Sequence, residues 1–158
     1  MRVLVVLGSG GHTKEMIRLV DLLGPGYEYS YLVAANDELS PQKIRIPGPV
    51  YKVTRPRWKT ANLLVEVART LLSALQSLVV LLIVRPRAII SSGPGPAVPV
   101  SFWGKLLGAK VIFVETGSRV YELSTSGRIL YRWADLFFVQ WPELQAKYPR
   151  AIYAGRLW

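Results

Sequence analysis

The feature that most constrains this chain is a repeated change of hydrophobic period: short β-branched runs alternate with longer segments whose apolar residues recur at helical spacing. A strand buried on both faces reads as a continuous apolar run, whereas a helix laid on it shows a stripe every three or four residues. Their alternation marks βαβ units around a mostly parallel sheet. The pattern predicts strands at residues 2–7, 28–34, 88–91, 110–115 and 135–139. It predicts helices at 13–23, 62–84, 97–107, 126–133 and 142–147, with Gly24-Pro25-Gly26, Pro86 and Gly108 as terminators. A length of 158 residues, 51% of them apolar, suits one α/β, Rossmann-like, doubly wound domain over 1–158 and is too short for two. Residues 36–59 hold four prolines and little periodicity, and read as a long functional loop rather than a linker.

Lys and Arg outnumber Asp and Glu 20 to 10, a formal charge of +10 that favours phosphates, nucleic acid or acidic membrane surfaces. The chain has no cysteine, which excludes disulfides, thiolate metal sites and thiol nucleophiles, and its single histidine leaves little for imidazole ligation. No cofactor or resident metal is expected. The apolar run Val3-Leu4-Val5-Val6-Leu7 ends in glycines, too soon and with the wrong flanks for a signal peptide, so an intracellular protein is expected.

Gly8-Ser9-Gly10-Gly11-His12-Thr13 follows the first expected strand and opens the first expected helix. Unpaired backbone N–H groups and the helix dipole attract a phosphate there, and glycines let it approach the backbone. A tight turn without a ligand fits the same residues. A small NAD(P)-binding oxidoreductase domain is the alternative function. Against it, Thr13 stands where the third glycine of the dinucleotide fingerprint belongs, and Asp37 and Glu38 come later than the usual acid. His12 at the mouth of this loop can take a proton from an attacking hydroxyl at neutral pH.

Ser92-Gly93-Pro94-Gly95-Pro96 also lies between an expected strand and helix, and reads as a second edge of the same cleft or as a rigid proline turn. Glu115 ends a strand and precedes Thr116-Gly117-Ser118-Arg119; it can orient a substrate hydroxyl, act as a base, or pair with Arg119. Trp141-Pro142 and Tyr148-Pro149 read as core and helix-start residues or as contacts with a partner.

The apolar run at 71–84 is shorter than the roughly 20 residues that span a bilayer, so no transmembrane span is expected. Arg55, Arg57, Trp58 and Lys59 before the helix, with Arg85 and Arg87 after it, give it the cationic and aromatic border of a segment lying on an anionic membrane. A helix apolar on every side is equally expected inside a core.

Taken in order, the glycine loop ending in His12-Thr13, Ser92-Gly93-Pro94-Gly95, Val114-Glu115-Thr116-Gly117-Ser118-Arg119-Val120, Leu123-Ser124-Thr125-Ser126-Gly127 and Val139-Gln140-Trp141-Pro142 through Gly155-Arg156-Leu157 resemble one family. It is the membrane-anchoring subunit of the bipartite UDP-N-acetylglucosamine transferase of dolichol-linked oligosaccharide synthesis, with its bacterial exopolysaccharide relatives. More distantly, the first two turns and Glu115 are similar to the acceptor domain of the peptidoglycan transferase that makes lipid II. The resemblance implies the acceptor-side half of a split GT-B glycosyltransferase, inactive without a donor-binding partner subunit. The implied acceptor is a lipid-linked sugar, reached from the cytoplasmic face of an anionic membrane; no nucleic-acid motif is present. Catalytic residues are then His12 and Glu115, and acceptor-binding residues Gly8, Ser9, Gly10, Gly11, Thr13, Ser92, Gly93, Gly95 and Arg119. Two departures stand out: family members often carry Asn where this chain has Ser92, and the eukaryotic ones begin with a transmembrane helix not seen here.

Overall fold

The computed structural model describes residues 1–56 and 62–157. Seven strands form one sheet: β1 (Arg2–Val6), β2 (Glu28–Ala34), β3 (Val50–Val53), β4 (Ala88–Ser91), β5 (Lys110–Val114), β6 (Leu136–Val139) and β7 (Ile152–Tyr153). Their spatial order is β3-β2-β1-β4-β5-β6-β7, and every adjacent pair is parallel. Among the described residues five α-helices connect them: α1 (Gly11–Leu23), α2 (Leu63–Val84), α3 (Ala97–Leu106), α4 (Thr125–Leu130) and α5 (Pro142–Lys147).

Successive side chains of a strand point to opposite faces. In β1, Val3 and Val5 join Met16, Ile17 and Val20 of α1 on one face. Leu4 and Val6 face Val80, Leu81 and Val84 of α2 and Val100 of α3 on the other. Burial on both faces is why β1 is an unbroken apolar run. The chain moves outward from β1 in one direction as far as β3, then returns through α2 to β4 on β1's other side. The order therefore reverses between β1 and β4, and a crevice opens beyond their carboxyl ends.

Within the described residues 36–56, the expected loop over 36–59 holds structure of its own. Ser40 precedes a 3-10 turn at Pro41–Lys43, and Val50–Val53 pairs with β2 as the sheet's edge strand. Its flanking bonds, Tyr31 N–H to Pro49 O at 2.8 Å and Ala35 N–H to Val53 O at 2.8 Å, need only carbonyls, which proline supplies. Pro56 then lies beside Gly95. The two-residue strand β7 was likewise not expected.

Helix α2 forms where expected, but with its first turns it counts 22 residues at a mean hydropathy of 2.1, enough by length and composition to cross a membrane, where the run at 71–84 alone was too short. Asn62 starts it, its side-chain oxygen accepting the Leu64 N–H at 3.0 Å. Ser73, Ser77, Val80, Leu81 and Val84 are buried against the sheet and α3. The opposite face is bare: Leu71 and Leu75 are 62% and 59% exposed, and Val79, Leu82 and Ile83 continue the stripe. The expectation of a core helix thus holds for one face only. Arg55 is exposed just upstream; Arg57, Trp58 and Lys59 lie outside the described residues.

Candidate functional site

The loop after β1 is folded by its own residues. Gly8 O accepts the Thr13 N–H at 2.9 Å and also the Thr13 hydroxyl. Gly10 has a φ of 78°, a left-handed conformation that glycine takes without strain. Thr13 is fully buried, and its hydroxyl meets Ser40 Oγ at 2.6 Å; Ser40 in turn donates to Asp37. Thr13 is therefore a clamp under the loop, its hydroxyl engaged by Gly8 and Ser40 rather than exposed in the cleft. The N–H groups of Ser9, Gly10, Gly11 and His12 find no acceptor among the described residues, leaving the positive end of a 13-residue helix facing out.

The turn after β4 closes on this loop. A Cβ on Gly8 would sit 2.2 Å from Pro94 Cβ, so only glycine allows the two turns to touch. Ser92 is fully buried beneath them, and its hydroxyl lies 3.0 Å from His12 Nδ1 and 3.4 Å from the His12 carbonyl. A hydroxyl has one proton. Donated to the carbonyl, it leaves the Ser92 oxygen to accept from Nδ1–H and Nε2 with its lone pair; donated to Nδ1, it leaves the proton on Nε2. Ser92 thus orients the imidazole and does not itself reach a ligand. A cleft of about 560 Å³ lies over the two turns, lined by Gly8, Ser9, His12, Gly93, Gly95 and Arg55, with Asp37 and Glu38 at its far side. Gly10 and Gly11 border a separate groove with Lys14, Arg18, Lys43 and Arg45.

Burial lowers the His12 pKa from its ordinary value; the Glu15 carboxylate and the Ser92 hydrogen bond oppose this, and Arg119 adds to it. The ring is therefore neutral at pH 7, the form a general base requires.

Glu115 does not line the cleft. It is fully buried: Oε1 accepts the Thr116 N–H at 3.0 Å, and Oε2 accepts the Ser124 N–H at 2.9 Å and Ser124 Oγ at 3.0 Å. A Cβ on Gly127 would reach Oε2 at 2.1 Å, so α4 is packed onto the carboxylate. Burial raises the Glu115 pKa, opposed by the Ser124 bonds. The structure gives it the role of closing the loop from β5 to α4 rather than of a base facing substrate, and shows no ion pair between it and Arg119 among the described residues. Arg119 is exposed on that loop, near enough to His12 and Glu115 to act on both electrostatically.

Sequence reasoning missed Glu15 and the role of Gln140. Glu15 Oε1 accepts the Gly117 N–H at 2.7 Å, Thr116 Oγ1 at 3.1 Å and Gln140 Nε2 at 3.1 Å. Gln140 also donates to Glu115 O at 3.1 Å and accepts the Leu157 N–H at 2.9 Å. Trp141 caps α5 ahead of Pro142, its Nε1 donating to Gly117 O at 2.7 Å and its ring lying under Arg156. The available signal was helical: Glu15 lies on the same face as His12, three residues on. Among the described residues no group of three or more His, Cys, Asp or Glu is placed to hold a metal ion.

A family model described as "Oligosaccharide biosynthesis protein Alg14 like" matches residues 3–157. The mouse protein named UDP-N-acetylglucosamine transferase subunit ALG14 is 36% identical over 180 residues, covering 99% of this chain and 83% of its own. The Saccharomyces cerevisiae protein of the same name is 34% identical over 185 residues, covering 99% and 77%. Among solved structures, MurG of Acinetobacter baumannii superposes with a TM-score of 0.68 at 18% identity, over 87% of this chain and 40% of that one. UDP-GlcNAc 2-epimerase of Neisseria meningitidis bound to UDP-GlcNAc gives 0.71 at 13%, over 99% and 47%. The chain spans less than half of either, and the likeness concerns the fold.

His12 is the only histidine, so its imidazole resonances are assignable without mutagenesis. An NMR titration should give a midpoint below the ordinary 6.5. Because the folded value is depressed, the stability this ring contributes is complete above pH 6.5 and is lost as pH falls through the lowered value. A midpoint at or above 6.5 would mean the ring is not held as the geometry indicates.

Proposed function

We propose, on the premise that this chain belongs to the Alg14 family of oligosaccharide biosynthesis proteins, that it is the acceptor-binding subunit of a two-component UDP-sugar glycosyltransferase. The observation that supports this is that His12, held through Nδ1 by Ser92, lines a cleft over two turns that meet at the sheet's switch point. The NAD(P) alternative is dropped: the relatives carry a transferase-subunit name, and Thr13 serves as a clamp where a third fingerprint glycine would stand.

In this reading the acceptor is a sugar on a lipid-linked pyrophosphate. The pyrophosphate lies against the N–H groups of Ser9 and His12, which line the cleft together with Arg55. The acceptor hydroxyl points to His12 Nε2. As the hydroxyl oxygen attacks the anomeric carbon of the UDP-sugar held by the partner, its proton passes to Nε2; the bond from the anomeric carbon to UDP breaks, and UDP leaves with the electron pair. Backbone dipoles held fixed by the Thr13 and Ser92 clamps need no reorganisation during this step. Glu115 acts at a distance by holding the loop that carries Arg119.

The lipid approaches from the bare face of α2. Covering an exposed leucine contributes roughly 1.5–3 kcal/mol, and Leu71, Leu75 and Leu82 lie on one stripe beside the exposed Arg55. Such a face suits the cytoplasmic surface of an anionic membrane, where each cation adds about 1 kcal/mol.

In the enzyme reconstituted with a UDP-sugar-binding partner, His12→Ala should lower kcat by about a hundredfold or more while complex formation survives. If His12 only positions the pyrophosphate, the loss should instead appear in the acceptor KM at unchanged kcat. Wild-type values of both would remove His12 from the site. The membrane reading has its own measurement: Leu71→Asp with Leu75→Asp should abolish co-sedimentation with vesicles containing phosphatidylserine, and unchanged binding would move the membrane face elsewhere.

A further inference from the structure

Glu15 is the buried ionisable group that the transfer step leaves unused. It is 5% exposed on α1, and three donors converge on its Oε1. Its Oε2 is buried with no hydrogen-bond partner, and no cation is ion-paired with it among the described residues. Burying a carboxylate without a cation is costly. If its work were only to hold the loop, a glutamine's carbonyl oxygen would accept the same three bonds without a charge. What the charge does differently is act on its helical neighbour: residues three apart on a helix share a face, and His12 is that neighbour.

We propose that Glu15 is a positioning residue of the transfer site, whose buried carboxylate pins the 116–119 loop and sets a fixed negative charge one helical turn from His12. When Nε2 takes the acceptor's proton the ring becomes an imidazolium, and a charge already in place stabilises it without reorganisation. Other groups also face the ring. Arg119 approaches from the 116–119 loop and opposes Glu15, Ser92 bonds to the ring from the turn after β4, and Asp37, Glu38 and Arg55 border the cleft from the connections after β2 and β3. Of the electrostatic influences on His12, the Glu15 carboxylate is the largest, pushing the ring's pKa up against the effect of burial. Gln140 ties the same carboxylate to the Glu115 carbonyl, so the loop and the charge are fixed by one side chain.

The role rests on reading His12 as the base, and it is tested without turnover. In NMR titrations of the full chain, Glu15→Gln should shift the His12 midpoint to lower pH, while Glu15→Asp, which keeps a charge but loosens the loop, should shift it less. In the wild-type chain, the Glu15 carboxyl carbon resonance should move through the His12 midpoint, a readout that survives even if the Gln variant does not fold. In the reconstituted enzyme, Glu15→Gln should lower kcat about tenfold and move the acid limb of its pH profile to lower pH, with acceptor KM little changed. A His12 midpoint unmoved by Glu15→Gln, or a flat Glu15 resonance across it, would overturn the proposal. A chain that shows the coupling yet supports no sugar transfer would sink the transferase reading alone.

Discussion

Two turns from separate strands can meet at the switch point only because Gly8 has no side chain. A Cβ there would lie 2.2 Å from Pro94 Cβ, and the loops after β1 and β4 would have to part. Everything at the site follows from that contact. It brings Ser92 under His12, so that one hydroxyl meets both the imidazole Nδ1 and the His12 carbonyl and orients the ring. The N–H groups of Ser9 to His12 find no acceptor among the described residues, and of these four residues Ser9 and His12 line the cleft. Tighter or looser packing at this point would move His12 and the glycine-loop backbone together.

Around that contact runs a set of buried polar locks, each satisfying groups that would be costly to leave unpaired. Thr13, Ser40 and Asp37 join the glycine loop to the connection after β2. Glu15, Gln140 and Trp141 join α1 to the ends of β5 and β6. Glu115 and Ser124 join β5 to the start of α4. A hydrogen bond contributes only about 1 kcal/mol net, but an orphaned buried partner costs more. Such locks therefore act chiefly on the geometry of the carboxyl edge, where the elements would otherwise slide independently.

The sheet was legible in the sequence wherever strands are buried on both faces: Val3 to Leu7 and Ala88 to Ser91 are continuous apolar runs bounded by glycine. Val50–Val53 was not, because an edge strand exposes half its side chains and these four residues sit between prolines. The glycine turns and His12 were legible as a candidate site because their chemistry is local. Thr13 and Glu115 were not readable in the same way. Whether a hydroxyl faces a ligand or a carbonyl, and whether a carboxylate faces solvent or Ser124, depends on residues far away in the chain. The bare face of α2 was hidden for a related reason: a sequence apolar all round does not say which side meets the sheet.

The central claim is that this chain holds the acceptor and not the donor, and calorimetry on the chain alone, with no partner present, reads it most directly. Titrated in detergent with a polyprenyl-pyrophosphate-linked N-acetylglucosamine, the chain should show saturable binding that Gly8→Ala weakens, because the added Cβ parts the two turns. Titrated with UDP-N-acetylglucosamine under the same conditions, it should give no appreciable heat of binding. Micromolar binding of the UDP-sugar, with no binding of the lipid-linked sugar, would contradict the account.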